Sequence, residues 1–280
     1  MNAVVLLRAA LDETQAGAVP VEPLGLVLAL VFVGAVLAVS RALRLGLERT
    51  VLLATARTYV QLSVLGLVLV YLFAWDHPLL TGAVFGVMIL ASAQIALTRL
   101  KEVPVPVFRP VLAATALGGV LVTAVVTGLV LGVEPFWAAR YWLPIGGMVL
   151  GNSLTGIALA VERFFSEMAL RHDSIEALVA LGATPAEARR DALRAGLRAG
   201  MTPILNNMAA VGVVSIPGMM TGQVLAGADP QQAARYQIVV MLMIAAATAL
   251  GAATAVLLAA PRAFDADGAP RDFAGARPAR

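Results

Sequence analysis

The sequence predicts an all-α protein embedded in a membrane, a polytopic integral membrane protein of about seven transmembrane helices, and three observations carry that prediction. Of its 280 residues, 60% are hydrophobic and 13% charged, whereas about a quarter of the residues of a soluble domain are charged. The apolar residues gather in seven segments, at about 24–43, 52–74, 79–98, 111–133, 141–161, 202–226 and 236–260. Each is close to the roughly 20 residues that a helix needs to cross a hydrocarbon core of about 30 Å. The third observation is that 17 of the 20 basic residues fall in or beside alternate connections.

Taken in order, the connections fix an orientation. Residues 1–23 place no basic residue ahead of the short apolar run Val4 to Leu7, so the segment is a poor signal peptide and is expected to be retained. Arg41, Arg44 and Arg49 follow span 1, with Arg57 just beyond; the connection after span 2, Trp75 to Pro78, has none. Arg99, Lys101 and Arg109 follow span 3, while only Arg140 follows span 4 and only Arg235 follows span 6. Between spans 5 and 6 lie Arg163, Arg171, Arg189, Arg190, Arg194 and Arg198, and after span 7 come Arg262, Arg271, Arg277 and Arg280. Since cytoplasmic loops hold the excess of Lys and Arg, the N-terminus is expected outside and the C-terminus in the cytoplasm. The net charge of +3 thus reflects topology, and no nucleic-acid partner is expected. Spans and docking loop occupy residues 1–260. Residues 261–280 turn to Pro, Gly, Ala, Asp and Arg, a composition expected to leave a disordered cytoplasmic tail.

Orientation places the long loop 162–201 in the cytoplasm. Ser174 is expected to cap a short helix over Ile175 to Leu181, Gly182 to end it in a left-handed conformation, and Pro185 to begin the next helix. That second helix sets Arg190, Arg194 and Arg198 at four-residue spacing, apart from Leu193 and Leu197. An interfacial helix lying on lipid headgroups accounts for this pattern, and so does docking to a protein. The stretch from Glu176 to Pro185 resembles the EAA loop by which ABC-transporter permeases insert a short helix into their ATP-binding subunits. On that resemblance Glu176, Ala177, Leu181, Gly182, Ala183, Thr184 and Pro185 are the ATPase-docking residues. The chain has one lysine, in Leu100-Lys101-Glu102-Val103-Pro104, and this is not the Gly-rich turn with a phosphate-reaching lysine that ATP hydrolysis needs. The chain is therefore expected to be non-catalytic and to bind no cofactor, with ATP and magnesium held by a partner subunit.

Longer blocks extend the resemblance. They are Arg57-Thr58-Tyr59-Val60-Gln61-Leu62; Gly151-Asn152-Ser153-Leu154-Thr155-Gly156 running to Glu162-Arg163; Asn206-Asn207-Met208; Val214-Ser215-Ile216-Pro217-Gly218-Met219-Met220-Thr221-Gly222-Gln223; and Ala234-Arg235-Tyr236-Gln237-Ile238-Val239-Val240-Met241. In order and span count these resemble the Fet-type iron-export permease family of bacteria, whose plant relatives are linked to aluminium tolerance. The resemblance implies a homodimeric permease of the bacterial inner membrane that pairs with a cytosolic ATPase and expels iron.

Polar residues inside spans are costly and point to a pathway or to interhelical hydrogen bonds. In span 5, Asn152, Ser153 and Thr155 are followed by Glu162 on the continuation of the Asn152 face. Glu162 is the one candidate metal ligand, against the alternative that it pairs with Arg163 or Arg57. Arg57 and Gln61 form an i, i+4 pair at the entry of span 2. Span 6 carries Asn206, Asn207 and Gln223 around Pro217-Gly218, which is expected to kink or break the helix. Met219 and Met220 follow the break, either as pathway residues or as core filler. With no cysteine, and with His77 and His172 on opposite sides, no tight cage is visible. Thioethers suit softer ions such as Cu(I), while ferrous iron prefers carboxylate and imidazole. The competing classes are an import-type ABC permease, an ion-coupled secondary transporter and a membrane scaffold; no catalytic acid pair or Ser-His pair argues for an intramembrane enzyme.

Overall fold

In the computed structural model, residues 22–100 and 103–273 are described. The expectations for residues 1–21, for Lys101 and for Arg277 and Arg280 lie outside them. The helices are α1 Pro23–Ala42, α2 Glu48–Trp75, α3 Pro78–Arg99, α4 Phe108–Val125, α5 Ala139–Leu170, α6 His172–Ala180, α7 Pro185–Ala188, α8 Arg190–Ala210, α9 Gly218–Leu225 and α10 Pro230–Ala259. The chain divides into two compact units: one holds the residues up to Trp75 with 221–230, the other holds 76–220 with the residues from Gln231 onward.

In the first unit α1 and α2 form an antiparallel pair. The Tyr59 hydroxyl donates to the Leu26 carbonyl at 2.7 Å, and the turn between the helices is fixed by Ser40, whose hydroxyl donates to Glu48 Oε1 at 2.8 Å and accepts from the Leu47 amide at 3.2 Å. Most side chains of these two helices are apolar and exposed, a surface suited to hydrocarbon.

The second unit is built around α5, which packs on α3, α4 and α8. Its 32 residues reach about 48 Å at 1.5 Å per residue, longer than a bilayer core, so one end must project from the membrane. The tightest packing is between α5 and α8. Gly156 and Ala160 on one helix meet Gly196 and Gly200 on the other, and a Cβ added at Gly200 would lie 2.6 Å from the Gly156 carbonyl oxygen. Small residues four apart on both helices let the backbones approach this closely. On either side of the crossing, one cluster gathers Phe164, Phe165, Met168 and Ile175, and a second gathers Val149, Ile204, Met243 and Ile244.

Three expectations are corrected. Six helices among the described residues are long and apolar enough to cross a membrane, namely α1 to α3, α4 with its π-helical extension to Val130, α5, and α10 with its extension to Ala263. The remaining expected span, 202–226, is not one helix. The break foreseen at Pro217-Gly218 begins earlier: α8 stops at Ala210, Gly212 takes a φ of +81°, and its amide bonds to the Ser215 carbonyl at 2.9 Å before α9 starts at Gly218. Ser174 does not cap α6; that helix begins two residues earlier, at His172, with no side-chain cap at Arg171. Finally, order continues well past residue 261. A 3-10 turn at Ala260–Ala263 leads into a bridge between Phe264 and Pro270, and Phe273 meets Phe165 edge-on at 5.9 Å between ring centres.

Candidate functional site

The hairpin of α6 and α7 is anchored by charge. Glu167, near the end of α5, is buried; its carboxylate accepts from Arg163 and, at 2.7 Å, from Arg171 Nε. Arg171 also lies 3.8 Å from Asp191, which pairs with Arg194 at 3.5 Å. The network therefore ties the end of α5 to the start of α8. Arg163 is committed to Glu167, so the alternative in which Glu162 pairs with Arg163 is not realised, and Glu162 makes no ion pair among the described residues.

On this anchor α6 turns one side inward and leaves the other free. Ile175 is buried, whereas Glu176, Ala177 and Leu178 are exposed and Leu181 is 86% exposed. Gly182, at φ +97°, ends the helix as foreseen: its amide bonds to Val179 and that of Ala183 to Leu178. Pro185 opens α7 behind a capping box, in which the Glu187 amide donates to the Thr184 hydroxyl at 3.3 Å while Glu187 Oε2 accepts from the Thr184 amide and hydroxyl at 2.9 and 2.7 Å.

The Thr184 hydroxyl, and after it the Thr184 amide, hold the Glu187 carboxyl below its ordinary pKa of 4.5. A carboxyl depressed on folding stabilises the loop above the ordinary value, and that contribution is lost as pH falls through the lowered one. Thr184→Ala should move the Glu187 titration back toward its ordinary range, which a titration of the isotope-labelled carboxyl would read; an unchanged midpoint would refute the assignment.

A second feature lies where the chain breaks between α8 and α9. A cavity of about 310 Å3 is lined by Asn152 and Met148 from α5, Asn207 from α8, Met219, and Gln237 and Met241 from α10. An adjoining, more apolar cavity of about 470 Å3 shares Gln237 and Met241 with it and adds Met208 and Met220. Asn152 is held by its own helix, its Nδ2 donating to the Met148 carbonyl at 2.7 Å. Gln237 is 7% exposed, and its Oε1 has no hydrogen-bond partner.

The predicted pathway residues are thus only partly assembled. Asn152, Asn207 and Met219 meet at one cavity and Met220 lines the next. Ser153 is buried against its own helix, and Thr155 accepts from Arg99 Nη1 at 2.6 Å. Glu162 lies about 15 Å along α5 from Asn152, and Asn206 is exposed outside both linings. Arg57 and Gln61 are exposed on α2, and Gln223 has a buried, unpartnered Oε1; these three belong to the first unit. Among the described residues no group of three His, Asp or Glu side chains could hold a metal. Sequence reasoning passed over Gln237 and Met148. Gln237 carried a usable signal, a lone amide within an apolar span, whereas Met148 carried none.

Residues 23–264 match the family described as Uncharacterised protein family (UPF0014). The chain is similar to the UPF0014 membrane protein YjkA of Bacillus subtilis, with 35% identity over 86% of this chain and 95% of that protein. It is 31% identical to Protein ALUMINUM SENSITIVE 3 of Arabidopsis thaliana over 84% of this chain and 85% of the relative. It is also 29% identical to the Probable iron export permease protein FetB of Escherichia coli, over 83% and 88%. No solved structure matches. With six helices able to cross a bilayer and a family match over nearly its whole length, the chain belongs to the UPF0014 family of membrane proteins, a multi-pass protein of the bacterial cytoplasmic membrane.

Proposed function

We propose that the chain is the permease subunit of an ABC transporter that exports metal ions, iron first among them, driven by a separate cytosolic ATP-binding subunit that holds ATP and magnesium. The observation that carries this reading is the tip of the α6 hairpin. Leu181 is 86% exposed beside the exposed Glu176 and Ala177, on a short helix with a defined glycine stop and a charge-anchored base. A leucine displayed in this way packs little within its own chain and, at the tip of an anchored hairpin, is available for insertion into a partner. The distribution of basic residues supports an outside N-terminus and a hairpin on the cytoplasmic side, where an ATPase acts. Such machines place two permease copies around one path, so a homodimer is part of the proposal. Iron rests on the similarity to the Probable iron export permease protein FetB of Escherichia coli.

The test uses inside-out membrane vesicles containing the chain and its ATP-binding partner. ATP should drive iron accumulation, and Leu181→Arg should reduce it to background and release the partner. Because the side chain touches little, melting should not change. Undiminished accumulation in that variant would remove the hairpin from the coupling path.

A further inference from the structure

The cavity at the α8 to α9 break sets a few polar side chains and three methionines in an apolar wall, and it holds no charge. Its lining contains no carboxylate, imidazole or basic side chain, and offers instead the amides of Asn152, Asn207 and Gln237 with the thioethers of Met148, Met219 and Met241. Five of the ten methionines of the chain line this cavity or its neighbour. The Gln237 carbonyl oxygen is buried there without a partner. An orphaned buried acceptor costs stability unless something donates to it or coordinates it.

We propose that this cavity is a binding site for a soft monovalent cation, Cu(I) or Ag(I), held by the sulfurs of Met148, Met219 and Met241 with the Gln237 amide oxygen at its edge. Thioether sulfur selects soft ions, whereas ferrous iron takes nitrogen and carboxylate oxygen. Charge points the same way. The cost of burying an ion rises as the square of its charge, and an uncharged shell has no anion to offset a second positive charge. A monovalent ion with an affinity for sulfur is therefore the cation this lining best accommodates, and it would coordinate the otherwise idle Gln237 oxygen. The claim concerns binding to this chain and holds whether or not an ATPase drives transport, so its failure and that of the transporter reading are separable.

The purified full-length chain in detergent, kept reduced, would be titrated with Cu(I) against a chromogenic Cu(I) chelator. One Cu(I) per chain is expected, and a hundredfold excess of Fe(II) should not displace it. Replacing Met148 and Met219 together by leucine keeps side-chain volume while removing sulfur, and should weaken binding at least tenfold. Met168→Leu, in the other core cluster, should leave it unchanged. Wild-type affinity in the double variant, displacement by Fe(II), or no retained Cu(I) would each overturn the proposal. X-ray absorption of the wild-type complex decides independently of any variant: sulfur neighbours support the site, and a shell of oxygen and nitrogen alone refutes it.

Discussion

Gly200→Leu is expected to abolish the folded state or to cost at least the upper end of the usual range for overpacking. A Cβ at this position would sit 2.6 Å from the Gly156 carbonyl oxygen and 2.8 Å from the Ala160 Cβ. The first of these is backbone in the middle of α5 and cannot swing aside as a side-chain tip would. Overpacking of a well-filled core costs about 1 to 3 kcal/mol when neighbours can rearrange, so a clash with helix backbone belongs at or beyond the upper end. The crossing also orders the rest of the site: Asn152 lies one turn before Gly156 on α5 and Asn207 about two turns after Gly200 on α8, and both line the same cavity. Melting of the variant in detergent, followed by size-exclusion chromatography, is the check. A monodisperse Gly200→Leu protein with the wild-type midpoint would show that the helices do not cross here as described. Gly212→Ala offers a control, since nothing lies within 4 Å of its added Cβ although φ is +81°; only modest strain, of about 1 to 2 kcal/mol, is expected there.

Phe264→Ala should cost about 3 to 4 kcal/mol, the loss typical of a buried aromatic side chain. Phe264 is 5% exposed and belongs to the same core cluster as Phe165, Met168 and Ile175. It heads a short closed loop: Asp265 Oδ1 accepts from the amides of Asp267 and Ala269 at 3.0 and 2.8 Å, and Arg271 donates its amide to Ala263 and its Nε to the Phe264 carbonyl at 2.9 and 3.0 Å. The loop runs past the hairpin, with Gly268 against Pro185; a Cβ added at Gly268 would lie 3.5 Å from the proline Cγ. The C-terminal segment thus braces α7, and its loss should loosen the hairpin as well as lower the melting point. Unfolding in detergent measures the first effect and proteolytic cleavage near Gly182 the second. A variant that melts and resists protease like the wild type would make the segment an ornament to the fold.

The features that were legible in the sequence are those whose cause is local. The left-handed stop at Gly182, the start of α7 at Pro185 and the break ahead of Gly218 follow from what glycine and proline permit in the backbone. They hold wherever the rest of the chain goes. Helix class and membrane insertion were legible for a related reason, since about 20 consecutive apolar residues leave a chain in lipid few choices. The tail misled because composition measures how much apolar surface a segment owns. Two phenylalanines, Phe264 and Phe273, suffice when a waiting cluster is already present.

Sequence by itself determined that the chain is helical, membrane-embedded and punctuated at the hairpin. Tertiary structure decided which polar residues share a site. Asn152, Thr155 and Glu162 look like one line along a helix, yet Thr155 accepts from Arg99 and only Asn152 reaches the cavity. Gln237 and Met241 join it from a helix that begins 60 residues after α5 ends. Periodicity along one helix reports its own faces, whereas a cavity forms among faces of several helices. Their mutual rotation is set by close contacts such as Gly156 on Gly200, and no single segment encodes it.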